Sequence, residues 1–214
     1  METPIIYWFR QDLRTRDLPG LLAAAATGKP LVACYILDDA SPGEHAMGSA
    51  SRWWLHHSLQ ALAAELAASG GTLVLRAGPA PAVLDELLEE TGADALYCSR
   101  LCEPWADSLE GKLHTSLAAR GVTCKRYPGS LLFEPGTVLN KTGNPFKVFT
   151  PFWRHCRSGN LPRAPKPRPA NVNWYGKVLH SDTLESWKLR PSEPDWAEGW
   201  SELWEPGSNG AYKR

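Results

Sequence analysis

Pro4-Ile5-Ile6-Tyr7-Trp8-Phe9 is apolar at every position, and that uniformity decides the fold. A strand facing water on one side alternates apolar and polar residues, whereas one without alternation is buried on both faces. Residues 30–37 read the same way, and shorter runs at 72–76, 95–98 and 122–127 predict three more strands. Helical patterns lie between them. Residues 21–26 form an alanine-rich helix ending near Gly28. Ser49 or Ser51 caps a long helix with Trp54, Leu55, Leu59, Leu62 and Leu66 at helical spacing, stopped by Ser69-Gly70-Gly71. Residues 79–90 and 105–120 supply two further helices, the second stopped by Gly121. Doubly buried strands need helices on both faces, and right-handed crossovers then make the sheet parallel. The expected fold is α/β: a doubly wound, five-stranded, Rossmann-like parallel sheet. Ligands of such sheets sit beyond the carboxyl ends of the strands near the switch point, which gathers residues 8–12, 35–39 and 99–103 around one crevice.

After Tyr127 the alternation stops. Gly143-Asn144-Pro145 is turn chemistry, and Phe146, Val148 and Thr150 alternate as a half-buried strand would before Pro151 opens an aromatic helix. A hairpin is expected there, with Leu131-Leu132-Phe133 and Phe146-Lys147-Val148 as arms around residues 140–143. Pro162, Pro165, Pro167 and Pro169, interleaved with Arg163, Lys166 and Arg168, predict a stiff, extended, basic connector. Trp174, Trp187, Trp196, Trp200 and Trp204 follow with few aliphatic residues around them, so this tail forms no core of its own. They either anchor the connector to its neighbours or offer flat faces for stacking bases, and anchoring is the commoner use. The organisation expected is a sheet domain over 1–128, a hairpin and helix completing it over 129–160, and a linker over 161–214.

The 214 residues, 43% hydrophobic and 21% charged, are enough for one full core. With 23 basic and 23 acidic residues the net charge is zero, so no general pull toward nucleic acid exists and DNA binding by this chain alone is expected to be weak and salt-sensitive. No apolar run is long enough to span a membrane, and Met1-Glu2-Thr3-Pro4 has no basic, signal-like start, so a cytoplasmic monomer is expected. The five scattered cysteines, Cys34, Cys98, Cys102, Cys124 and Cys156, have neither a disulfide framework nor zinc-ligand spacing.

Fingerprints of dinucleotide redox enzymes, P-loop hydrolases and α/β-hydrolases are all absent from the sequence. His56 and His57 are adjacent on a helix, one ring facing the sheet and one solvent, and read as structural. Arg10 and Asp12 follow the first strand, with Arg52 on a helix at the same end of the sheet. A pair bracing the loop and contact with a ligand are both open to them.

Trp8-Phe9-Arg10-Gln11-Asp12-Leu13-Arg14, Asp17-Leu18-Pro19-Gly20-Leu21 and the run from Gly143 to Arg157 resemble signatures of the DNA photolyase and cryptochrome family. Leu189 to Trp196 and Trp204 to Ala211 resemble that family's linker end and the entry to its helical domain, with Ser208 where an acidic residue is usual. The resemblance implies the N-terminal, light-harvesting part of a photolyase, a carbon–carbon lyase acting in light-dependent DNA repair. The helical FAD domain would act in cis beyond this chain, so the chain alone is expected neither to hold FAD nor to repair damaged DNA. It implies an antenna chromophore, which is a deazaflavin, a methenyltetrahydrofolate or a flavin in different members. By the same resemblance Arg10, Tyr35, Arg52 and Glu103 line the chromophore pocket, and Asp12, beside Arg10, joins them as a cofactor-binding candidate; Arg52 is expected to count for more than His56 or His57, because a guanidinium offers a planar face and several fixed donors. Leu101 stands where deazaflavin-type relatives place an acid, and Trp105-Ala106 where folate-type relatives place polar contacts. A cryptochrome-type photoreceptor and a free-standing nucleotide-binding domain are the alternatives.

Overall fold

The computed structural model describes residues 2–159 and 162–213. Five parallel strands, β1 (Ile5–Phe9), β2 (Leu31–Leu37), β3 (Leu73–Ala77), β4 (Ala95–Ser99) and β5 (Thr123–Tyr127), form one sheet in the order β3-β2-β1-β4-β5. The order reverses at β1, whose neighbours are β2 and β4, which is the switch point of a doubly wound sheet. Helices α1 (Pro19–Ala25), α2 (Ser49–Ala67), α3 (Ala80–Thr91) and α4 (Pro104–Ala119) are the crossovers.

Period-two alternation splits every central strand between two cores. Ile5, Tyr7 and Phe9 of β1 meet α1 and α2 through Leu21, Leu55, Leu59 and Leu62. Ile6 and Trp8 face the opposite way, against Val83, Leu84 and Leu87 of α3 and Leu113 and Leu117 of α4. Both faces of β1 are therefore covered, as the lack of polar alternation required.

Two expectations for α2 differ in detail. Its N-cap is Gly48, not Ser49 or Ser51: Gly48 holds the extended cap conformation, and its carbonyl accepts the Arg52 N–H at 3.0 Å. Trp53 is the buried indole, whereas Trp54 is 41% exposed and meets Trp204 edge-on.

The hairpin expected beyond Tyr127 does not form. The turn is present, since the Asn140 carboxamide accepts the N–H groups of Thr142 (2.9 Å) and Asn144 (3.0 Å), but only one antiparallel bridge, Leu139 with Pro145, follows it. Pro145 has no N–H with which to continue a ladder. Residues 146–150 are not a strand either: α5 (Phe149–Ser158) has begun, with Val148 as its extended N-cap and Pro151 in its first turn. Phe146 folds back onto Phe152 and His155.

The rest of the chain runs over the sheet domain, with short helices α6 (Trp200–Leu203) and α7 (Ser208–Lys213). The expected boundary at 160–161 lies outside the described residues. Asn173 and Tyr175 bracket Leu31 with backbone bonds of 2.8 and 3.0 Å, and the Ser181 side chain and Asp182 backbone bond Leu75 of β3. Three of the tail's tryptophans pack onto the sheet domain through single contacts. Trp174 lies where a Gly71 Cβ would come within 2.5 Å of its ring, Trp187 packs on Tyr35, and Trp200 on Trp53.

Candidate functional site

The carboxyl ends of β1, β2 and β4 open into a cavity of about 1140 Å³. Trp8, Arg10, Tyr35 and Leu101 line it from the strand ends, and Asp38 and Asp39 from the loop after β2. Trp54 of α2 and Trp105 of α4 add aromatic faces. The connector (Pro165 to Arg168) and α7 (Ser208, Ala211, Tyr212) complete the enclosure. The strand ends thus supply one wall and the distant tail another.

Of the five residues singled out in the sequence, Arg10 and Tyr35 line the cavity, while Asp12, Arg52 and Glu103 do not. Arg10 is buried with its guanidinium 4.5 Å from the Trp8 ring centre. Its ion pair is with Glu110 of α4, a residue the sequence reading did not single out. Glu110 is 2% exposed and also takes the Leu101 N–H (3.1 Å) and Arg126 Nη1 (3.0 Å). That hydrogen bond and the carboxylate's charge hold the Arg126 guanidinium above its usual value. A signal was available: Glu110 stands one turn from the buried Ala106 and Leu113, so a carboxylate occupies the apolar stripe of α4.

Asp12, also buried, accepts the Arg10 N–H at 3.0 Å and the Tyr7 hydroxyl at 3.4 Å, which shapes the loop after β1. Arg52 pairs with Asp39 at 2.6 Å and donates from Nε to the Met47 carbonyl at 3.0 Å. Both partners line the cavity, so Arg52 positions its wall from behind. Glu103 is the N-cap residue of α4, and its carboxylate accepts Gln11 Nε2 (3.0 Å) and the Cys102 N–H (3.1 Å). The Gln11 bond holds the Glu103 carboxyl below its usual range.

Asp38 organises the loop between β2 and α2. Burial alone would raise its carboxyl, yet bonds from the Ser41 hydroxyl (2.5 Å) and the N–H groups of Ser41 (2.8 Å), Ala80 (2.8 Å) and Ala40 (2.9 Å) outweigh it and lower the value. Burial pushes the Tyr35 hydroxyl up, so it stays a neutral wall. At the tail side, Ser208 donates to Glu65, which also accepts the Thr15 hydroxyl at 2.8 Å. An acid at position 208 would face that carboxylate. Gly207 makes the approach to α2 possible, since a Cβ there would meet Ala61 Cβ at 2.6 Å.

Charges around the opening are uneven. Asp39 is paired with Arg52 and Asp17 with Arg163, whereas Lys166 and Arg168 make no ion pair among the described residues. Arg14 spends its donors on the carbonyls of Arg16, Asp17 and Gly129, and Arg16 stacks on Tyr212 at 5.0 Å. The cavity therefore joins a flat, largely apolar interior to a cationic rim. Among the described residues no His, Cys, Asp and Glu group could hold a metal ion, and no helix is long and apolar enough to cross a membrane.

A family model described as DNA photolyase matches residues 5–170. A deoxyribodipyrimidine photo-lyase of Agrobacterium fabrum is 41% identical over 97% of this chain and 43% of its own length. Cryptochrome-1 of Arabidopsis thaliana is 34% identical over 72% of this chain and 22% of its own. The crystal structure of a bacterial class III photolyase from Agrobacterium tumefaciens superposes with a TM-score of 0.93 at 39% identity, over the whole of this chain and 44% of that one. This chain thus spans less than half the length of these relatives.

Proposed function

The chain belongs to the DNA photolyase family, and from that premise we propose that it is the N-terminal, light-harvesting domain of a deoxyribodipyrimidine photolyase acting in light-dependent DNA repair. The observation that carries this reading is the cavity at the switch point of the sheet, walled on one side by the tail. Its volume and flat aromatic surfaces suit one planar chromophore, and the rim of Lys166 and Arg168 suits an anionic extension such as a flavin phosphate or folate glutamate. A deazaflavin, a methenyltetrahydrofolate and a flavin all meet that description. When bound, the chromophore absorbs light and passes its excitation to FAD held in cis by a helical region of the full-length protein. The chain's own residues bind and orient it. Tyr35, Trp8 and Leu101 exclude water from the ring, and Arg10, fixed by Glu110, presents a rigid cationic edge beside Trp8. Asp12, Arg52 and Glu103 act one step removed, shaping the loops from which the lining residues project. The reading is of a cytoplasmic monomer that meets damaged DNA only through the full-length protein. The higher identity, 41% against 34% and 31% for two plant cryptochromes, favours the photolyase.

Titrating the chain with FMN, methenyltetrahydrofolate and a deazaflavin, followed by fluorescence, tests this. One of the three is expected to bind at one per chain, and Leu101→Trp, which sets an indole into the wall against the ring, to weaken it strongly. Arg52→Ala is expected to weaken binding by only a few-fold, because it acts through Asp39. Equal binding by the Leu101→Trp chain, or none by the parent at high micromolar concentration, overturns the assignment.

A further inference from the structure

The wall that the tail adds to the cavity at the strand ends hangs on very few bonds. Four of the eight residues of the connector, 162–169, are proline, which has no N–H with which to tie a segment down. Among the described residues, each hydrogen bond between this connector and the sheet domain ends on Asp17, in the loop between β1 and α1. The Asp17 N–H donates to the Lys166 carbonyl at 2.9 Å, and the Lys166 N–H donates back to the Asp17 carboxylate at 3.0 Å. The same carboxylate oxygen accepts Arg163 Nη1. A pair of bonds closed both ways fixes the place and the direction of the connector at Lys166, between Pro165 and Pro167 in the cavity wall.

Asp17 makes this pair from φ 49°, in the left-handed region that Asp and Asn tolerate better than other residues with a side chain. Its carbonyl accepts Arg14 Nη2 at 3.1 Å. The two residues before it hold the other part of the tail wall. The Arg16 guanidinium lies 5.0 Å from the ring centre of Tyr212 on α7, and Thr15 donates to Glu65, the carboxylate that Ser208 of α7 also meets. One short loop thus grips both segments that close the cavity, and Asp17 carries its grip on the connector.

We propose that Asp17 is the positioning residue of the tail wall: it sets residues 165–168 across the cavity opening and so governs how long a ligand stays bound. The proposal rests on the chromophore reading of that cavity. Asp17 acts through Lys166, which stands with Arg168 at the cationic rim. The ion pair with Arg163 joins side chains 46% and 36% exposed, so it contributes little beside the reciprocal pair at Lys166. Without that pair, wall and rim come loose together, and a bound ligand loses enclosure and charge at once.

The test has two arms, both on the 214-residue chain. Without ligand, hydrogen exchange followed by NMR reads the Lys166 amide. Asp17→Gly, which keeps the left-handed backbone and removes the carboxylate, should speed that exchange about tenfold while the β1 amides stay protected. Asp17→Asn, which keeps an acceptor oxygen in place, should restore most of the protection, and Arg163→Gln should change it little. With FMN, methenyltetrahydrofolate and a deazaflavin in turn, stopped-flow fluorescence reads dissociation. The ligand that the parent holds should leave Asp17→Gly about tenfold faster, with most of the slow release recovered in Asp17→Asn. A Lys166 amide as protected in Asp17→Gly as in the parent overturns the hold on the wall, and equal dissociation despite a freed amide overturns the link from wall to ligand. Binding of none of the three by the parent overturns the chromophore reading and the role in ligand retention with it, while the exchange arm judges the hold of Asp17 on the connector by itself.

Discussion

Residues 5–127 and residues 128–213 fold by different rules. The first region is held by repetition: five strands each divide their side chains between two cores, and each helix contributes several aliphatic residues to one of them. The second has no such repetition and is held by single, well-separated anchors, Trp174 at Gly71, Trp187 at Tyr35 and Trp200 at Trp53. A repeated pattern tolerates error at any one position. An anchor does not, because each depends on one receiving site.

Four substitutions probe that contrast. The largest effect is expected from Glu110→Ala, which leaves the buried Arg10 guanidinium without its counter-charge and should cost about 3–5 kcal/mol in urea denaturation. Gly71→Ala sets a methyl group within 2.5 Å of the Trp174 ring and threatens the 2.9 Å bond from Trp174 Nε1 to the Ser69 carbonyl. Overpacking of this kind costs about 1–3 kcal/mol. Limited proteolysis should then cut the tail while 5–127 stays intact, and a single cooperative loss of both regions would break the distinction. Asp38→Asn should cost about 1 kcal/mol at neutral pH. Because the folded state lowers the Asp38 carboxyl, its contribution is present above the unfolded value of about 3.9 and is lost as pH falls through the lower folded value. The variant's deficit should accordingly shrink in acid unfolding below about pH 4. Phe149→Ser, at a ring 70% exposed on α5, should change stability by no more than about 0.5 kcal/mol.

The same contrast explains what could be read from the sequence. All five strands and the four crossover helices were legible within a residue or two, because apolar periodicity is a property of many residues together. The expected arms at 131–133 and 146–148 were not strands, because alternation over three residues carries little information and Pro145 ends the ladder. At the site, the strand-end rule located the cavity, and Arg10 and Tyr35 with it. Arg52 and Glu103 lie at the correct end of the sheet but turn to Asp39 and Gln11. Which of two neighbouring residues reaches a cavity depends on side-chain direction, as Trp53 and Trp54 show. Lys166, Ser208 and Tyr212 reach the cavity only through the path of the tail, for which spacing gives no rule.

That path has one more consequence, at the outer strand of the sheet. The N–H of Leu75 is taken by the Ser181 hydroxyl at 2.9 Å, its carbonyl by the Asp182 N–H at 2.8 Å, and Arg76 Nε by the His180 carbonyl at 2.8 Å. An unpaired, apolar border strand invites the corresponding strand of another molecule, the first step toward ordered aggregation. At the opposite border β5 carries Lys125, a charge that disfavours such a visitor. Along β3, where Leu73-Val74-Leu75 offers no charge, the tail itself takes up the border's free backbone groups and leaves no place for a second strand at Leu75.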